Sequence, residues 1–275
     1  MKSDTISMLR DPNTLEPLQP ITGSDNESLI NPRTGRIFPA PDGIPVFLDD
    51  SNVNGFNRKF KKFYDLCAPI YDEMIKSYLF VRRLGNDEQM RAEYLRELEI
   101  KEGARVLEVS IGTGSNIRYL PRNCSYYGLD ISWGMLKRCQ KNLRKWGCDA
   151  ELFHGCAEFL PFADESFDVV FHAGGIKFFN DKSRAIREMI RVSKPGTKIL
   201  IMDQAEKIAE DVLKVPVAKQ FFKGLKEMTV APTDLVPGEM LEKKIDSILQ
   251  GGCYCLQFRK PTGANEARRS SAAGD

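Results

Sequence analysis

Histidine is nearly missing from this chain. The 275 residues include two, His154 and His172, and the seven cysteines never pair as CxxC. With so few imidazoles and no paired thiols, neither a zinc site nor a disulfide framework is expected. Cys67, Cys124, Cys139, Cys148, Cys156, Cys253 and Cys255 read as reduced thiols that pack as small hydrophobes. Cys253 and Cys255 share a face of a strand-like segment, and without a nearby histidine a structural role is expected for them. No apolar run approaches the ~20 residues of a membrane span. The charged start does not match a signal peptide, so a cytoplasmic protein is expected. Excess charge is also lacking: 40 Lys and Arg stand against 38 Asp and Glu, which withholds the basic signal of a nucleic-acid binder.

What is present suits one α/β domain with a small appendage, at 42% hydrophobic and 28% charged residues. Residues 1–50 are rich in turn formers and read as a compact turn-and-strand module. Residues 51–103 change to helical spacing, with Phe56, Phe60, Phe63, Tyr64, Cys67 and Tyr71 on one stripe, and a second helix is predicted over Asp87–Leu98. From 104 to 262 short apolar runs alternate with helices. The runs are Arg105–Val109, Ser125–Leu129, Ala150–His154, Phe167–Phe171 and Lys198–Met202. The helices are predicted over Ser115–Leu120, Trp133–Trp146 and Lys182–Val192. This is the pattern of βαβ units in a Rossmann-like parallel sheet. Glu206–Met228 reads as helical, broken at Pro216. Lys243–Leu249 and Cys253–Arg259 form a hairpin across Gln250-Gly251-Gly252, so the mostly parallel, seven-stranded sheet ends antiparallel, which is unusual for dehydrogenases. Residues 263–275 read as a disordered tail, and no internal repeat stands out.

The first strand leads into Glu108-Val109-Ser110-Ile111-Gly112-Thr113-Gly114. Glycines between a strand and the next element allow a tight turn and close approach of backbone to ligand. Glu108 there attracts the ammonium of a methionine moiety and repels a pyrophosphate, and Ile117 stands where a dinucleotide fingerprint needs its third glycine. Asp130 ends the second strand about 20 residues on, where an acid can hold both ribose hydroxyls; a helix N-cap at Asp130 or Ser132 is the plainer alternative. Gly155–Phe162 follows the third strand, where the chain passes the expected adenine position.

Val106–Gly114, Gly128–Leu136, Ala157–Phe162, Ser166–Val170 and Lys194-Pro195-Gly196 together resemble the class I S-adenosylmethionine-dependent methyltransferases of the ubiquinone/menaquinone-biosynthesis type, over about residues 56–260. The resemblance implies that Glu108 lies near the methionine end of the cofactor and that Ser110, Gly112 and Gly114 form its turn. It implies Asp130 on the ribose, Ile131 and Met135 flanking adenine, Cys156 and Ala157 at the adenine edge, and His172 or Ala173 near methyl transfer. Tyr71-Asp72, in a helix over Tyr64–Met74, matches the family's lid. Ser110 replaces a usual glycine and Cys156 a usual aspartate.

Residues 9–48 resemble a small zinc-ribbon module that accompanies some methyltransferases. Its metal cysteines would fall at Asp11, Thr14, Asn31 and near Thr34, and none is cysteine, so no metal is expected. His172, at the strand edge where ligands gather, is the candidate base, with Tyr71 beside it; His154 is expected to pack. The Lys/Arg-rich Lys137–Lys145 reads as a solvated helix face. The expected cofactor is S-adenosylmethionine, leaving as S-adenosylhomocysteine, and the expected acceptor is a small molecule that is quinone-like, lipid-like or a secondary metabolite. RNA is the second, less favoured acceptor. A protein that uses the fold without methylating is the third reading.

Overall fold

The computed structural model describes residues 1–21, 28–49, 53–82, 86–205 and 229–263. The helical segment expected over Glu206–Met228 and nearly all of the expected tail fall outside them.

The chain begins with α1 (Ser3–Met8) and a three-stranded antiparallel sheet, β1 (Gln19–Pro20), β2 (Leu29–Ile30) and β3 (Ile37–Phe38). Two turns of this module repeat one design that the sequence reading passed over. Asp11-Pro12-Asn13-Thr14-Leu15 and Asn31-Pro32-Arg33-Thr34-Gly35 each end in a left-handed residue, Leu15 at φ 58° and Gly35 at φ 73°. In each, the first side chain accepts a backbone N–H two residues on, and the threonine hydroxyl accepts another. The turns face each other: Asn31 Nδ2 donates to Asp11 Oδ2 at 2.8 Å and to Thr14 Oγ1 at 3.2 Å. A hydrogen-bonded knot thus joins the two turns.

Helices α2 (Gly55–Cys67), α3 (Tyr71–Arg82) and α4 (Asp87–Leu95) follow. The single helix expected over Tyr64–Met74 is a correction: it is interrupted between Cys67 and Tyr71, where Pro69 has no N–H to continue the ladder. The main sheet is built from β4 (Arg105–Val109), β5 (Ser125–Asp130), β6 (Glu151–His154), β7 (Val169–Ala173), β8 (Lys198–Gln204), β9 (Leu241–Ile248) and β10 (Cys253–Arg259), in the order β6-β5-β4-β7-β8-β10-β9. Only β10 runs antiparallel to its neighbours, as the hairpin pattern predicted. Helices α5 (Trp133–Trp146) and α6 (Lys182–Val192) match their predicted spans. The helix expected over Ser115–Leu120 does not form. Only a 3-10 turn, Ile117–Tyr119, is present, and Leu120 is extended before Pro121 because that ring crowds a helical predecessor.

Alternate residues of the strands feed opposite faces. Leu107, Val109, Val170, Ile199 and Ile201 join one buried cluster, while Val106, Val169, Phe171 and Leu200 join the other. The N-terminal module shares the first cluster through Leu9, Leu29, Phe38 and Phe47. It also covers the sheet edge: Phe47 N–H donates to the His154 carbonyl, His154 N–H to the Pro45 carbonyl and Arg10 N–H to the Pro161 carbonyl.

Candidate active site

Register brings the carboxyl ends of the central strands into line. Glu108 lies opposite Gly128 and Phe171, Val109 opposite His172, and Ala173 opposite Met202. After β4 the backbone enters left-handed space at Ser110 (φ 62°), Gly112 (φ 57°) and Gly114 (φ 76°). Gly114 is required by packing, since a Cβ there would meet Cys139 Sγ at 2.6 Å. Gly112 is different: open space lies where its Cβ would be, as it does at Gly174 and Gly175 beyond β7. Ser110 holds the left-handed conformation with a side chain, a strained choice.

Asp130 locks this turn. Its Oδ2 accepts the Gly112 N–H and its Oδ1 the Ser132 N–H, both at 2.8 Å. Burial pushes its carboxyl up to about 6 against those hydrogen bonds. Glu108 is 1% exposed. One oxygen accepts from Asn116 Nδ2, while the other, Oε2, is buried with no partner. Burial pushes Glu108 up to about 8, opposed by Asn116 and the Arg91 charge. Asn116 is itself held by Arg91 at 2.7 Å and the Tyr94 hydroxyl at 2.6 Å. This Arg91–Tyr94–Asn116 support was missed in the sequence. Asn116, two residues past Gly114, was within reach, but Arg91 and Tyr94 come from a helix whose docking no local pattern reveals.

Two acids tie α2 and α3 to the main domain. Asp65 on α2 accepts from Ser132 Oγ at 2.7 Å and the Gly134 N–H at 2.9 Å, capping α5 from outside. Asp72 on α3 accepts from Thr113 Oγ1 at 2.6 Å and from Arg138 and Asn142 at 3.0 Å. Those bonds outweigh the cost of burial and hold its carboxyl below the ordinary value. Tyr64 and Tyr71 meet edge to face at 6.0 Å. Burial raises both phenol pKa values, and the Asp130 and Asp203 charges add to the effect, so both stay protonated.

His172 is fully buried, its Nδ1 2.9 Å from the Val109 carbonyl. A carbonyl only accepts, so Nδ1 carries the proton and Nε2, which has no partner, is a bare lone pair. Burial lowers its pKa, opposed by nearby Asp203. Asp203, next to last in β8, is in a buried ion pair with Lys177 at 2.7 Å. It too was missed, although an acid ending an apolar run is the signal that marked Asp130.

The remaining predicted residues lie just beyond β5 and β6, in the first turn of α5 and at the end of β7. Gly155 N–H donates to the Asp130 carbonyl at 3.0 Å, bringing Cys156 and Ala157 alongside. The Cys156 thiol donates to Glu158 at 2.6 Å, and Asn57 of α2 reaches both residues. Ile131 is half-buried, Met135 is buried in the first turn of α5, and Ala173 ends β7. His154 packs edge to face on Trp133 and bonds the Ile131 carbonyl through Nε2. Four buried side-chain atoms among the described residues lack partners. Two, Glu108 Oε2 and His172 Nε2, belong to diagonally placed residues of β4 and β7 whose side chains leave opposite faces of the sheet; the others, Glu151 Oε2 and His154 Nδ1, are on edge strand β6.

A methyltransferase-domain family matches residues 107–201. The chain is 34% identical to a demethylmenaquinone methyltransferase of Renibacterium salmoninarum over 50% of its own length and 59% of that relative's. It is 32% identical to a demethylmenaquinone methyltransferase of Bacillus velezensis over 58% of its own length and 67% of that relative's. The chain therefore spans about three fifths of the first relative and two thirds of the second. Among solved structures, a SAM-dependent methyltransferase from Aquifex aeolicus shares the fold with TM-score 0.51 and 18% identity, covering 65% of this chain and 96% of that one. By sequence and fold, the chain belongs to the class I S-adenosylmethionine-dependent methyltransferases of the ubiquinone/menaquinone-biosynthesis type.

Proposed function

We propose that this chain binds S-adenosylmethionine at the carboxyl edge of β4, β5 and β7 and moves its methyl group to a small-molecule acceptor that is quinone-like, lipid-like or a secondary metabolite. The observation that carries this reading is the unpartnered, buried Glu108 Oε2 at the start of a turn with open space over Gly112. A buried carboxylate oxygen without a donor is costly unless a ligand supplies one, and an α-ammonium is the fitting donor. Asp130 accepts from the ribose hydroxyls, Ile131 and Met135 flank the base, and Cys156 and Ala157 line its edge. Ser110, Gly112, Gly114 and Ala173 present backbone.

The cofactor supplies an electrophilic methyl on a sulfonium, and the protein's task is alignment for in-line displacement. Tyr64 and Tyr71, latched through Asp65 and Asp72, exclude water from above. Tyr71 presents a protonated hydroxyl that donates to the acceptor. Where the acceptor must lose a proton, the His172 Nε2 lone pair takes it, and the neighbouring Asp203 charge favours the imidazolium so formed. RNA gains no support: Lys137 and Arg138 of the basic helix are committed to Asp42 and Asp72.

Calorimetric titration with S-adenosylhomocysteine tests the reading. Binding is expected, and Asp130→Ala should weaken it about tenfold or more through loss of charge-assisted bonds. Absence of heat at millimolar ligand, or unchanged affinity in the variant, would overturn it.

A further inference from the structure

Beside the site, among the described residues, lies a cleft of about 410 Å³ between the start of α2 and the segment that enters α6. Phe56, Phe179 and Leu235 give it apolar walls. Phe179 connects it to the proposed chemistry, because the same ring packs edge-on against His172 at 5.2 Å.

Every polar residue lining the cleft except Lys182 has a hydrogen-bond or ion-pair partner, and Asp181 uses one of its two carboxylate oxygens. Lys177 is neutralised by Asp203 and also bonds Gln204. The Asn180 amide is used in full, accepting the Phe56 and Asn57 N–H groups and donating to Asn54. Asp181 caps α6 by accepting the Arg184 N–H at 2.8 Å. Ser183 Oγ accepts from Arg187. Lys182 alone has no hydrogen-bond or ion-pair partner for its ammonium among the described residues, although it is half-buried. Partial burial draws its pKa down, and the Lys177 charge adds to this while Asp203 opposes it.

Stability does not explain this placement. Lys182 is the first residue of α6, the end of a helix that favours anions and disfavours cations. It is also close enough to feel Lys177. A half-buried cation with no partner among the described residues, beside the apolar walls of Phe56, Phe179 and Leu235, fits a ligand that brings the opposite charge.

Resting on the methyltransferase reading above, we propose that the acceptor is an amphipathic acid: its apolar body occupies the cleft between Phe56, Phe179 and Leu235, its carboxylate or phosphate pairs with Lys182, and its reacting end reaches past Phe179 toward His172. Lys182 is then a residue that selects the acceptor by charge.

Titration calorimetry with decanoate, decyl phosphate and neutral decanol, each with and without S-adenosylhomocysteine, tests this on the intact chain. At least one of the acids should bind about tenfold tighter than decanol, and the tighter acid identifies the head group. Lys182→Gln should erase that preference and Lys182→Arg should keep it. The Gln variant should bind S-adenosylhomocysteine normally and melt no lower than the parent, because an unfavourable helix-end charge has been removed. The proposal is overturned if neither acid binds, if decanol binds as well as the acids, if Lys182→Gln leaves acid binding intact, or if that variant melts lower. Failure of S-adenosylhomocysteine to bind would instead sink the methyltransferase reading, while acid binding without it still reports on the cleft.

Discussion

Two of the buried clusters of acids and amides end differently. In the N-terminal module, Asp11 and Asn31 are 1% and 0% exposed, yet each carboxylate oxygen and the Asn31 amide find partners within the two facing turns. At the carboxyl edge of the main sheet, Glu108 is buried as deeply, but one of its oxygens stays open, as does His172 Nε2. Burial alone therefore does not mark a site; incomplete satisfaction beside open backbone does. The first cluster is finished by the chain itself and behaves as a structural knot. The second is the one that we propose a ligand completes.

This contrast can be broken by titration. A glutamate whose pKa is raised on folding keeps its proton in the native state while the unfolded chain has released it. Stability should then fall as pH rises from the ordinary carboxylate value of 4.5 toward about 8, by at most about 1.4 kcal/mol per pH unit. Asp130, pushed up to about 6, adds a loss of the same sign over the lower part of that window. Denaturant unfolding of the ligand-free protein from pH 5 to pH 8 should show this slope, and Glu108→Gln should flatten it above pH 6. An identical slope in the variant would mean that Glu108 is not the strained group.

A smaller effect is expected in the knot. Asn31→Ala removes the donor to Asp11 and Thr14 and the acceptor for two backbone N–H groups, and should cost about 3 kcal/mol. Because the knot holds no ligand in this account, affinity for S-adenosylhomocysteine should survive in the folded fraction. A stable variant that has lost that affinity would place the module in the binding machinery.

Legibility in the sequence followed the same divide. The strands, α5, α6 and the hairpin were readable because apolar periodicity and the N-cap Ser132 are local signals. The nearness of Gly112 to Asp130 was readable because one sits at a strand end and the other in a turn beyond the neighbouring strand, where spacing alone brings them together. The break at Pro69 and the loss of helix before Pro121 were local too, and were outweighed by apolar spacing on either side. Arg91, Tyr94, Asp65 and Asp203 were not read as site residues. Their roles depend on which helix end or strand edge they meet across tens of residues, and no periodicity encodes that. The Asp11–Asn31 knot was read as missing cysteines. That its side chains satisfy one another became visible only when the two Pro-x-Thr turns were seen face to face.

The most direct test concerns the open oxygen of Glu108. S-adenosylhomocysteine should be titrated calorimetrically into the parent protein and Glu108→Gln at pH 8, where the Glu108 carboxylate is substantially ionised. The account predicts binding to the parent and a loss of about tenfold or more in the variant, since a carboxylate–ammonium bond becomes a neutral contact. Equal affinity in the two proteins would contradict it.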